Sequence, residues 1–131
     1  MKILLFPLFL VLTQFFHACN KDTDEDLLGK WHVMKVDKGD IIYDLKGLDY
    51  ILAFENDSVV SLKLDVNNCN SIYKIKNENE IAFQAFGCTK VCCDNNLASI
   101  LIQALNKAER LEIKGENMKL TGENSIYLYR I

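Results

Sequence analysis

Five cysteines hold most of the reactive chemistry in this 131-residue chain, at Cys19, Cys69, Cys88, Cys92 and Cys93. A thiol can carry a lipid, close a disulfide, bind a metal or act as a nucleophile, and its surroundings decide which. A cysteine nucleophile needs a base. His32 is the only histidine beyond residue 18, and it falls in a segment patterned as a strand. The spacing Cys88-x3-Cys92-Cys93 does not match the paired Cys-x2-Cys knuckles of structural zinc sites. Catalysis and metal binding are therefore both poorly served. No cofactor is expected either, because no glycine-rich phosphate loop is present. The cluster Asp22, Asp24, Glu25 and Asp26 lacks the spacing and glycine of a calcium loop.

Cys19 stands apart by position. It ends an apolar run and opens an acidic stretch, in the order Phe16-His17-Ala18-Cys19-Asn20-Lys21-Asp22. Lys2 supplies a leading positive charge, and the apolar run from Ile3 to Phe16 is interrupted by Pro7. That run is short of the ~20 apolar residues a membrane-spanning helix needs, and it suits the apolar region of a signal peptide. Ala18 directly before Cys19 resembles the end of a bacterial lipobox. Phe16 and His17 depart from the usual leucine and small residue there. The reading is a signal peptide over 1–18 and lipid attachment at Cys19, so that the membrane is the first partner. Cleavage after Ala18 with an unmodified Cys19 thiol is the alternative. Residues 19–27 read as a flexible acidic tether, since the stretch from Asn20 to Asp26 has no apolar side chain to offset its ordering. Lys21-Asp22 after the cysteine resembles the charged surface-export signals of Bacteroidetes lipoproteins. The expected location is thus the outer membrane of a bacterial envelope, facing the periplasm or the surface.

Removing 1–18 from 131 residues leaves 113, enough for one core. The formal charge is −3, and −4 once Lys2 has left. A mildly acidic domain without a basic cluster has no electrostatic footprint for nucleic acid. Pro7 is the sole proline, so turns in the domain must come from Gly, Asn and Asp.

The elements that position the cysteines are mostly strands. Segments rich in strand formers run from Trp31 to Val36, Ile41 to Tyr43, Tyr50 to Phe54, Ser58 to Leu64, Ile72 to Lys76 and Ile81 to Phe86. Many of the intervening turns are Asn/Asp-rich. Leu97, Ile100, Leu101, Ala104 and Leu105 then follow helical spacing, with Asp94 placed to cap the start. Three more strands follow, over Arg110 to Ile113, Met118 to Thr121 and Ile126 to Tyr129. The class is mainly β with one helix (α+β), as a sandwich or barrel. Tyr127 and Tyr129 share one face of the last strand and are expected in the core, or else lining a small-molecule pocket.

Cys69, Cys88, Cys92 and Cys93 form an even set in an exported domain, which favours disulfides. Three pairings are possible. A bond between the neighbours Cys92 and Cys93 would strain the backbone, so Cys69 is expected to pair with one of those two.

From Leu28 to Ile131 the chain resembles a META domain, a family that includes heat-inducible bacterial envelope lipoproteins. Leu28-Gly29-Lys30-Trp31 is similar to the family's first strand. Asn68-Cys69-Asn70 with Tyr73 resembles its Gly-Cys-Asn motif and downstream tyrosine. Thr89 and Cys93 match its Thr-x3-Cys motif. Leu101 to Leu105, Ile113-x-Gly115 and Leu120 resemble its helix and last hairpin. Asn68 stands where the family has glycine, and Cys88 and Cys92 are additions. The resemblance implies a small antiparallel β-barrel-like domain over 28–131 with one helix packed against it. It also implies a Cys69–Cys93 bridge, worth roughly 3 kcal/mol for a loop of about two dozen residues, leaving Cys88 with Cys92. Two functions fit: a non-catalytic envelope lipoprotein with an unidentified protein partner or a role in envelope stress and integrity, and a lipocalin-like carrier of a small apolar ligand.

Overall fold

The computed structural model describes residues 23–131. Cys19, the signal segment and the first part of the tether lie outside the described residues. In chain order the elements are α1 (Thr23–Leu27), β1 (Gly29–Asp37), β2 (Ile42–Asp44), a 3-10 turn (Lys46–Leu48), β3 (Ile51–Phe54), β4 (Val59–Lys63), β5 (Asn68–Asn77), β6 (Glu80–Phe83), β7 (Gly87–Cys88), α2 (Leu97–Asn106), β8 (Arg110–Lys114), β9 (Asn117–Thr121) and β10 (Ser125–Arg130).

The strands run antiparallel in the order β1-β3-β4-β5-β6-β8-β9-β10, and β10 pairs back onto β1 to close an eight-stranded barrel. The short strands β2 and β7 are appended to β1 and β5. Alternation along each strand drives the closure, since every second side chain turns inward. Trp31, Val33, Leu52, Phe54, Val60, Leu62, Met118, Leu120, Ile126 and Leu128 are buried in this way. In β5 the inward set is Cys69, Ser71 and Tyr73. The ring of Phe54 meets Tyr73 edge-on at 4.9 Å, a favoured aromatic geometry.

The wall is thinnest between β6 and β8, which share the single register pair Glu80↔Arg110. Helix α2 covers the barrel beside that seam. It packs on β1, β6 and β10, and buries Ala98, Leu101, Ala104 and Leu105. Gly122 fits against the end of this helix because it has no side chain. A Cβ there would collide with the Lys107 backbone carbonyl.

The start of the domain corrects one expectation. The tether does not extend through residue 27. Thr23–Leu27 is helical, and Leu27 is wholly buried. The Leu27 carbonyl accepts a hydrogen bond from the Trp31 indole Nε1–H at 2.9 Å. Arg130 at the other end of the chain donates to the carbonyls of Asp26 and Leu28. Its guanidinium also lies 4.2 Å from the Trp31 ring centre. Burying the tryptophan and satisfying its N–H requires residues before 28, so they belong to the fold.

Tyr127 and Tyr129 also lie elsewhere than expected. They do share a face of β10, but it is the outer one, because the alternate residues Ile126 and Leu128 take the inward positions. The Tyr127 ring sits outside the barrel with the Lys35 and Lys119 ammonium groups 4.5 and 5.4 Å from its centre. Tyr129 is 45% exposed.

Candidate functional site

The cysteine loop between β7 and α2 is the chemically richest part of the described structure. Its anchor is the register of β7 on β5, which sets Cys88 opposite Cys69 and Gly87 opposite Asn70. The Cα atoms of Cys69 and Cys88 are 4.0 Å apart and their sulfurs are bonded. Cys93 is therefore not the partner of Cys69. The strand ladder has already placed Cys88 against it, and the loop beyond carries Cys92 and Cys93 outward. Those two neighbours pair with each other, across a cis peptide bond. Both remain exposed, whereas Cys69 is fully buried.

A polar latch fixes the loop. Asn67, buried just before β5, is its hub. The Asn67 Oδ1 accepts from the Thr89 hydroxyl at 2.8 Å and from the Val91 N–H at 2.7 Å. Its Nδ2 donates to the Val91 carbonyl at 2.7 Å and to the Asp94 carboxylate at 2.6 Å. Asp94 also accepts the backbone N–H groups of Val66 at 2.8 Å and Asn67 at 3.2 Å. Next to it, Asp65 accepts from the Tyr50 hydroxyl at 2.5 Å and from the Asn95 N–H at 2.8 Å. Burial, and then the bond to the Asp65 carboxylate, push the Tyr50 phenol far above its ordinary range. Such a phenol stays protonated and serves as a donor.

Asp94 does not cap α2. Its carboxylate faces back to Val66 and Asn67, and Asn95 Oδ1 instead receives the Leu97 N–H at 3.0 Å. Partial burial raises the Asp94 pKa, but hydrogen bonds from Val66 and Asn67 outweigh it and hold the carboxyl below its ordinary value. Its stabilising contribution is thus present in full above the unfolded-state pKa, and is lost as pH falls through the lower folded-state value. We expect Asp94→Ala to cost about 1–2 kcal/mol near neutral pH by stranding partly buried donors. The gap to wild type should narrow in acid, as read from denaturant midpoints across a pH series.

Asn68 adopts ordinary strand geometry, although the family motif has glycine at this point. Among the described residues the one non-glycine with positive φ is Asp49. His32 lies on the outer side of β1, with Nε2 3.8 Å from Asp49, and is remote from the loop cysteines in the sheet. No group of three or more His, Cys, Asp or Glu side chains converges on a possible metal position among the described residues. An open groove of about 610 Å³ runs along β5 and β6, bordered by Asp57, Ser58, Ile72, Lys74 and Gln84.

Fold and site together define a small closed barrel covered by one helix, with a disulfide-stapled loop latched at its edge. The META domain family model matches residues 25–130, and the chain belongs to that family. Two solved structures share the fold. An NMR structure of a protein from Burkholderia xenovorans has a TM-score of 0.67 at 16% identity, covering 83% of this chain and 86% of that one. A crystal structure of a DUF4847 family protein from Bacteroides vulgatus has a TM-score of 0.60 at 14% identity, covering 79% of this chain and 92% of that one. No curated protein sequence matches the chain.

Proposed function

We propose that this protein is a non-catalytic, lipid-anchored envelope protein that works by binding another protein through the outside of its barrel. The observation that carries this reading is the packed bore. Trp31, Tyr50, Phe54, Leu62, Met118 and Leu120 are all but completely buried. An eight-stranded barrel is just wide enough either to be filled by side chains or to hold one small ligand, and large inward residues favour the first. This weighs against the carrier alternative. The groove along β5 and β6 is open to solvent, unlike a carrier's enclosed cavity. The polar residues of the latch are committed to one another, which supports a structural role over catalysis.

Attachment is assigned to Cys19, ahead of the ordered domain. No helix of the described residues is long and apolar enough to cross a membrane. One acyl chain gives marginal membrane binding, and stable anchoring takes more; a multiply acylated N-terminal cysteine meets that need. Metabolic labelling with a fatty-acid analogue should mark the wild-type protein and leave Cys19→Ala unlabelled and released from membranes. Unlabelled wild type would leave a simple secreted domain. Crosslinking in intact cells, followed by recovery of the anchored protein, should then yield a discrete protein adduct.

A further inference from the structure

We propose that Cys92 and Cys93 form an accessible thiol–disulfide exchange site whose substrate class is dithiols, separate in role from the Cys69–Cys88 staple. The two bonds have opposite surroundings. Cys69 is fully buried and Cys88 is half-buried, and both are held in the β5–β7 ladder. Cys92 and Cys93 are exposed. They are also the two positions left between clamped neighbours. On one side Asn67 grips both the N–H and the carbonyl of Val91. On the other, the Asp94 carboxylate is held by Val66 and Asn67, and the Asn95 N–H by Asp65. The latch thus presents the pair to solvent while the loop around it stays fixed. Exchange depends on access of a thiolate to a sulfur. A reductant reaches both Cys92 and Cys93 from solvent, whereas the Cys69–Cys88 bond offers only the half-buried Cys88 side, Cys69 being fully buried.

The step is a two-electron exchange. One thiolate of the incoming dithiol attacks a sulfur of the Cys92–Cys93 bond. A mixed disulfide forms, and the other cysteine leaves as a thiolate and takes up a proton. The second thiol of the reagent, losing its proton, then attacks the mixed disulfide. The reagent departs as a cyclic disulfide, and both cysteines are left as thiols. Two electrons and two protons have passed from the dithiol to the pair. The reverse reaction oxidises the pair at the expense of an incoming disulfide.

The test uses the full chain purified without reductant and titrated with dithiothreitol, followed by alkylation and peptide mapping. Cys92 and Cys93 should become labelled about tenfold faster than Cys69 and Cys88, with Trp31 fluorescence unchanged as they do so. In Cys93→Ala the resolving thiol is absent, so Cys92 should retain one glutathione after treatment with oxidised glutathione. Labelling of all four cysteines together, earlier labelling of Cys69 and Cys88, or full labelling of Cys92 and Cys93 before any reductant is added would each overturn the proposal.

Discussion

Replacing Trp31 with alanine should lower the folding free energy by about 3–5 kcal/mol, the range for deleting a fully buried tryptophan. Trp31 is wholly buried at the start of β1 and joins three parts of the chain. Its ring faces the barrel core, its N–H bonds the carbonyl of Leu27, and its face lies under the Arg130 guanidinium. Alanine removes all three at once. It leaves a cavity, strands a buried carbonyl and removes the ring face on which the Arg130 guanidinium rests. Small domains hold only about 5–15 kcal/mol in total, so the loss should be a large share. Trp31→Phe separates the contributions: it keeps most of the apolar volume but not the indole donor. Its expected cost is about 1–3 kcal/mol, the range for an unsatisfied buried group. Equilibrium denaturation in urea measures both. A Trp31→Ala midpoint close to wild type would show that the N-terminal turn and the barrel are not coupled through this residue.

Removing the Cys69–Cys88 bond with the double substitution Cys69→Ala and Cys88→Ala should cost about 3 kcal/mol by the chain-entropy model. The bond spans 19 residues of sequence. Its closed loop contains nearly all of β5, all of β6 and the crossing back to β7, so opening it frees the unfolded chain over a wide stretch. The double change avoids leaving a lone buried thiol. Little cavity cost is expected on the Cys88 side, which is already half-exposed. Reduced wild type should approach the double variant in stability, and Cys92→Ala with Cys93→Ala should remain close to oxidised wild type. If instead the Cys92 and Cys93 changes cost as much as those at Cys69 and Cys88, the stabilising bridge would be Cys69–Cys93.

Much of this architecture is readable in the residues, and the reasons differ by element. Strands with inward Val, Leu, Ile and Trp at every second position are legible because one face is buried and the other is not. The helix is legible from Leu97 to Leu105 for the same reason at a different period. Less is visible where a contact between distant segments decides. A two-residue strand at Gly87–Cys88 carries no pattern of its own, yet it selects the partner of Cys69. Leu27 follows a run of acidic residues that looks like spacer, and only the need of Trp31 for an acceptor shows why it is buried. Tyr127 and Tyr129 could occupy either face of β10. The neighbouring Ile126 and Leu128 settle it, because they bury equivalent apolar surface without leaving a hydroxyl to satisfy. Asn67 reads as half of an Asn-Asn turn. Its role as hub of the latch depends on Thr89, Val91 and Asp94, more than twenty residues away. The Asn before the cysteine motif and the Asp after the cysteine pair are the available signal, and neither is specific alone.

The most direct measurement is native mass spectrometry of the protein extracted from its own membranes, with the same sample then denatured. A packed, lipid-anchored barrel should give a chain that begins at Cys19 and carries acyl mass. Its native mass should equal its denatured mass, with no small molecule lost on unfolding. A chain without acyl mass, or a stoichiometric apolar ligand released on denaturation, would contradict it.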